Sequence, residues 1–419
     1  MLYALTILFS LYIIMFVRKK FHSFSPASLF TFFWTSQILF MVIFWSGFLY
    51  FKYVGLLYIL LCLFCFDLGY CVQLQTKPAR ISNVSIKYNG NKTRLLYYYV
   101  LALSFFALIY DIFNHGFSLQ NLFDLNSFME MSNQNSVERY SGEDAGGIME
   151  RLLGVNTYAC AIIGGMSYYF FDGRKRIYPY IALLPLIIGG VVTSAKMGII
   201  TGTFLWLIGL LLVSQLMDKQ IRLNYKKIFF VIIGIIVFFA LLIIVMMFRI
   251  GTFDIDTMYI VFGKMISYSL GHLPAFDLWF TSHEDVLPEL TGGGKTFYGI
   301  TNSLGLLKRE GGIFIDPVEV SIDGDSTNVF TIYRFFVEDF GMIGTLPFLF
   351  VMGMVCRLIY NHFSYKRYVY MSTTLLCGIY FFISWSFVSS IFAYATYIML
   401  IFYLYFLIRI VIKIEYVSI

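Results

Sequence analysis

Two kinds of residue in this sequence could act on an anionic substrate. The first is a set of cations, Lys196, Arg249, Lys264, Lys295, Lys308, Arg309 and Arg334, several of which stand at the ends of long apolar runs. Arginine grips a phosphate through two parallel N–H bonds and lysine acts as a point charge, so such residues at a membrane surface can clamp a phosphate. The alternative for each is a snorkelling side chain that only carries its charge to water. The second kind is the trio His272, Glu338 and Asp339, any of which could take a proton from a hydroxyl or orient it. The sequence does not choose among them. Glu338 and Asp339 could equally pair with Arg334, because four residues of helix bring Arg334 beside Glu338.

Other patterns are weaker. Gly292-Gly-Gly-Lys295-Thr296 resembles the end of a nucleotide-binding loop, but Glu289 stands where the earlier glycine is required and no buried strand precedes it. It reads as a tight turn, one able to present backbone N–H groups and Lys295 to a ligand. Asp254-Ile-Asp256 and Asp323-Gly-Asp325 have the two-carboxylate form that can hold a divalent metal. Their alternative is turn and helix-cap chemistry, and Asp325-Ser-Thr327 suits the cap of a following helix. His115 and His283 lack zinc-site spacing, and no cluster of metal ligands emerges. Cys62 and Cys65 are spaced as a pair but lie in an apolar run, where packing is the expected role of all six cysteines. No metal site and no cofactor are expected.

The elements that must position these residues follow from composition. The 419 residues are 59% hydrophobic, 20% aromatic and only 13% charged, which excludes a water-soluble enzyme. A bilayer solvates such a surface and asks that backbone groups bond internally, as they do in helices. Apolar runs long enough to span start at Leu2, Leu29, Tyr53, Leu95, Leu152, Tyr178, Gly198, Ile228, Gly341, Val369 and Phe387. The expected fold is therefore an all-α polytopic bundle of about eleven spans, a single transmembrane domain over residues 1–419. The first run precedes its basic cluster Arg18-Lys19-Lys20, the reverse of a secretory signal, and reads as a retained span.

Twenty of the thirty Lys and Arg residues fall on one side of this arrangement and twenty of the twenty-four acidic residues on the other. Retention of positive loops makes the first side cytoplasmic, with the N-terminus outside and the C-terminus inside. Charge balance alone (+6) points to no nucleic acid. Two long outer segments result. Residues 114–151 have the composition of a polar strap. Residues 249–339 form a large outer loop in which Thr257–Leu270 has helical spacing and reads as a helix lying in the interface. Aromatic residues such as Trp279, Phe280, Phe297 and Tyr298 could stack on sugar rings or anchor the loop to the bilayer.

The order of Thr193-Ser-Ala-Lys196-Met-Gly, Phe248-Arg249, Gly294-Lys295-Thr296-Phe297, Ser326-Thr-Asn328 to Arg334, and Glu338-Asp-Phe-Gly341 resembles the oligosaccharide repeat-unit polymerases of O-antigen and capsule synthesis. The resemblance runs from about Gly154 to Phe382 and is strongest over Ser326 to Gly341. It implies a GT-C-like glycosyltransferase of the bacterial inner membrane acting on the periplasmic face. The substrate implied is an undecaprenyl-diphosphate-linked oligosaccharide, with membrane lipid around it and a chain-length regulator and a flippase as partners. Arg249 and Arg334 are then expected as diphosphate clamps, and Lys196 stands where relatives often have Arg. Lys264 and Lys295 complete the expected substrate-binding set. An O-antigen ligase shares the architecture, and a lipid-linked oligosaccharide flippase or other transporter is the rival from another class. Ionisable residues gather in the outer segments rather than at span centres, which favours interfacial chemistry over transport.

Overall fold

The computed structural model describes residues 24–45, 47–72, 84–114, 117–118, 120, 124–141, 147–193, 195–219, 225–250, 254–283, 290–307 and 317–416. The expected span at Leu2 lies outside them. The fold is mainly helical, and among the residues whose side chains are described six helices are long and apolar enough to cross a membrane, with Ile232–Phe248 a shorter apolar stretch of a longer helix. The six are Pro26–Phe44, Val54–Cys71, Gly90–Asn114, Gly173–Val192, Lys196–Leu216 and Ile332–Ser364. This is fewer than the eleven runs suggest. Val369–Trp385 and Ala395–Val411 are helical but only 17 residues each, roughly 25 Å at 1.5 Å per residue, short of a hydrocarbon core about 30 Å thick. Ile148–Ser167 is helical too, but its first turn carries Glu150 and Arg151.

The chain divides into two compact units, one of residues 1–81 and 266–398 and the other of residues 82–265 and 399–419. In the first, α1 (Pro26–Phe44) begins with Ser25, whose hydroxyl accepts from the N–H of Ser28, and with Pro26 at its first turn. The second helix, α2 (Val54–Cys71), packs at backbone contact along the helix that follows Gly341 in the kinked segment Ile332–Ser364. A Cβ on Gly69 would stand 1.9 Å from the carbonyl oxygen of Phe350, and one on Gly353 would stand 2.1 Å from that of Phe66. Small residues let helices approach this closely in lipid, where packing rather than the hydrophobic effect joins them. Gly353→Val should lower the thermal midpoint of the detergent-solubilised protein through a backbone clash, at least the 1–3 kcal/mol typical of overpacking. An unchanged midpoint would mean that the two helices do not touch there.

The second unit opens with β1 (Val84–Tyr88), followed by α3 (Gly90–Asn114), α4 (Leu125–Ser141), α5 (Ile148–Ser167), α6 (Leu184–Val192), α7 (Lys196–Leu216) and α8 (Tyr225–Ile250). Helices α5 and α7 repeat the close approach, with Gly165 facing the carbonyl of Trp206 and Gly209 that of Ile162. Asn156 of α5 donates to the carbonyl of Val100 and to Ser104 of α3. Within the polar strap expected over 114–151, residues 125–141 form α4. Its buried Ser132 and Asn135 donate to the carbonyls of Val191 and Val192 at the end of α6, and Met131 packs with Ile112 and Val192. Polar composition hid this because α4 caps exposed carbonyls with side-chain donors instead of burying a wide apolar face.

The segment 249–339 likewise carries elements, α9 (Ile255–Leu270), α10 (His272–Ser282), α11 (Tyr298–Ser303), β2 (Val318–Glu319) and β3 (Ser326–Thr327), before α12 (Ile332–Ser364). Helix α9 is the helix expected from Thr257 to Leu270. Asp254 starts it, accepting from the N–H and hydroxyl of Thr257, so the first carboxylate pair does cap chemistry. The second departs from expectation. Ser326 and Thr327 pair with Glu319 and Val318 in an antiparallel hairpin, and Asp325 accepts from the Ser267 hydroxyl instead of capping a helix. The chain closes with α13 (Val369–Trp385), α14 (Ala395–Val411) and β4 (Ile412–Tyr416), which pairs antiparallel with β1.

Candidate functional site

In the first unit the turn Thr291–Thr296 is folded around a carboxylate. Gly292 and Gly293 have φ of +59° and +99°, a region open to glycine and strained for other residues. With the chain bent this way the N–H groups of Lys295 and Thr296 donate to the two oxygens of Asp339, at 2.9 and 2.7 Å, and the Thr291 hydroxyl donates to the same carboxylate. The N–H of Gly292 bonds the Asp339 carbonyl at 3.0 Å. The glycine turn thus does gather backbone N–H groups around an anion, but the anion is the chain's own. Asp339 is 1% exposed. A carboxylate so enclosed and so fully bonded positions the turn.

One residue earlier, Glu338 joins two cations. Its Oε2 accepts from Lys295 Nζ at 2.6 Å and its Oε1 from Arg334 Nε at 2.8 Å, the latter across one helical turn of α12. The guanidinium of Arg334 also lies against two rings, with its carbon 4.1 Å from the centre of Phe330 and 4.8 Å from that of Trp279. Charged contacts of this length are about twice as strong as neutral ones, and stacking on aromatic faces fixes the guanidinium plane. The side chains of Lys295 and Arg334 are 28% and 14% exposed, against 5% for Glu338. The cations therefore reach the surface above the carboxylate. The glycine turn itself, with Phe297, Thr301, Leu306 and Leu307, lines an open cleft of about 510 Å³, which Lys295, Arg334 and Glu338 do not line. Just beyond Asp339, Gly341 (φ +73°, ψ 170°) breaks the helix, so the segment bearing Arg334, Glu338 and Asp339 is a separate short helix set before the long one.

His272 is not part of this cluster. It is 1% exposed, its ring centre is 6.1 Å from that of Trp34 and 5.6 Å from that of Phe387, and neither ring nitrogen has a hydrogen-bond partner among the described residues. It precedes Trp279 by two turns of α10, about 10 Å along the axis. The expectation of a histidine at the surface fails because the run after Gly271 is a buried helix. Burial pushes its pKa down to about 3, so the folded protein holds it neutral. The unfolded chain takes up the proton near pH 6.5, so stability present above that pH should fall as the solution is acidified toward 3, by about 1.4 kcal/mol per pH unit. Melting temperatures at pH 7.5 and 5 should differ less in His272→Phe than in the wild type. An equal difference would remove His272 as the source.

Asp277, on α10, was not singled out by the sequence. Fully buried, its carboxylate accepts from the N–H groups of Lys52, of Tyr53 at 2.8 Å and of Gly55 at 2.6 Å, at the start of α2. The positive end of that helix and its unbonded N–H groups suit an anion. Asp277→Ala strands these donors and should destabilise the protein by roughly 3 kcal/mol or more, with Asn between, read from thermal unfolding. Nothing in the residues near Asp277 signals a target more than 200 positions away.

The remaining expected substrate residues belong to the second unit. Lys196 is the first residue of α7 and is half-buried, Lys264 is exposed on α9, and Arg249 falls in the last turn of α8, its side chain lying outside the described residues. His115, Lys308 and Arg309 also lie outside them. His283 Nδ1 lies 2.9 Å from the Ser282 hydroxyl and 2.9 Å from the Trp279 carbonyl, to which it can only donate, and its ring stacks on Trp279. Among the described residues no cluster of three or more metal-ligating side chains occurs. No family model matches the chain, no curated protein is significantly similar to it, and no solved structure is either.

Proposed function

We propose that the protein is a membrane glycosyltransferase that joins undecaprenyl-diphosphate-linked oligosaccharide units into O-antigen or capsular polysaccharide on the periplasmic face of the bacterial inner membrane. The observation that carries this reading is the convergence of two partly exposed cations, Lys295 and Arg334, on one carboxylate. Two fixed cations suit a leaving group whose negative charge grows as the bond to it breaks. In the proposed reaction an acceptor sugar hydroxyl attacks the anomeric carbon of the donor, the bond to the diphosphate oxygen breaks, and the lipid diphosphate departs with the electron pair. Lys295 and Arg334 stabilise that charge. The hydroxyl proton passes to the departing diphosphate, whose own oxygen gains the electron pair of the broken bond, so that the step balances without a further co-reactant. The full GT-C-like bundle of eleven spans, with the N-terminus periplasmic and the C-terminus cytoplasmic, belongs to the same proposal, as do a chain-length regulator and a flippase as partners.

The test is the length of surface polysaccharide in a strain lacking the protein, complemented with wild type, Arg249→Ala or Arg334→Ala at equal membrane expression. The reading expects a single repeat unit in the null and a ladder restored by wild type alone. Loss of all attached sugar, with polymer still built on its carrier, would indicate a ligase. An unchanged ladder in the null would exclude both.

A further inference from the structure

We propose that Glu338 competes with an anionic ligand for Lys295 and Arg334, and so sets how tightly the site holds that ligand. The inference rests on the reading above that these two cations take a diphosphate. Each oxygen of the Glu338 carboxylate meets one cation, Lys295 Nζ at 2.6 Å and Arg334 Nε at 2.8 Å, the two-oxygen bite a phosphate would use on the same pair.

The backbone of Lys295 and the guanidinium of Arg334 are held by contacts that do not involve Glu338. The backbone N–H of Lys295 is bonded to Asp339, and the Arg334 guanidinium lies against Phe330 and Trp279. Asp339 turns its own charge toward the N–H groups of Lys295 and Thr296, and Glu338 is the carboxylate that meets both cations. The more exposed partner, Lys295, is a compact charge on a flexible stem, the kind of group that can pass from one anion to another without moving the backbone. A ligand must therefore outbid a carboxylate already in hydrogen-bond contact. Weak binding of the free anion follows, and with it release of a diphosphate product that two uncompensated cations would retain.

The experiment measures inorganic pyrophosphate binding to the full-length protein in lipid nanodiscs by calorimetry, at one fixed salt concentration, with melting curves on the same samples. Glu338→Gln keeps the size of the side chain and removes its charge. It should bind pyrophosphate about tenfold more tightly than wild type, and Lys295→Ala at least tenfold more weakly. Should Glu338→Gln fail to fold, Glu338→Asp, which draws the carboxylate back by one methylene, should shift binding in the same direction by a smaller factor. If wild type binds and Lys295→Ala does not, while Glu338→Gln binds no tighter, the inference falls and the diphosphate reading stands. If none of the proteins binds pyrophosphate and the Lys295→Ala strain keeps a normal polysaccharide ladder, both fall together.

Discussion

Asp339→Ala is expected to abolish polymer formation and to lower stability, although the residue touches no substrate in the proposed reaction. Its carboxylate is what the N–H groups of Lys295 and Thr296 and the hydroxyl of Thr291 are bonded to, and it is 1% exposed. Without it these donors face each other in a buried turn. Each stranded group costs about 1–3 kcal/mol, so roughly 3–9 kcal/mol of local stability is at stake across the three, enough to release the turn and with it the placement of Lys295. Asp339→Asn keeps one acceptor oxygen and should lose less. The checks are polymer yield from lipid-linked units in isolated membranes and proteolysis of the turn in detergent. A variant with Ala at 339 that makes full-length polymer would show that the turn's shape is irrelevant to function.

The second large effect is expected at Arg334. Removing one fixed donor from a developing negative charge commonly lowers a rate by about two to three orders of magnitude, and Arg334→Ala should fall in that range. Arg334→Lys separates two contributions. It retains the charge but loses both the planar stack on Phe330 and Trp279 and the Nε contact to Glu338, so its rate should lie between wild type and Ala. Initial rates of polymer formation from purified lipid-linked units measure both variants. A lysine variant as slow as alanine would assign the whole effect to orientation, and an alanine variant as fast as wild type would remove Arg334 from the reaction.

What could be read from the sequence was what depends on neighbours along the chain. The Arg334–Glu338 pair was available from its four-residue spacing, and the apolar helices from runs that need no tertiary partner to be recognised. The glycine turn was recognisable as a turn because Gly292 and Gly293 permit φ values that other residues resist. Its occupant was not. Asp339 lies 43 residues from Thr296, and no periodicity links a carboxylate to a turn that far away. Asp277 and the start of α2 are separated by still more chain. His272 misled for a related reason, since histidine beside a glycine at the end of an apolar helix looks the same whether the next helix runs along a surface or into a core. In α4 the opposite happened, and polar side chains that suggested a strap turned out to be the donors that dock it.

The contact between α2 and α12 has a mechanical consequence. Two backbones that meet at Gly69 and Gly353, each against the other's carbonyl, cannot slide past one another without driving a Cα into a peptide group. A bilayer that thickens or thins can therefore move the pair only as one body, by tilt. The register of α2 against the helix that follows Gly341 is fixed in the same way, and with it the level at which the short helix bearing Arg334 and Glu338 joins the pair.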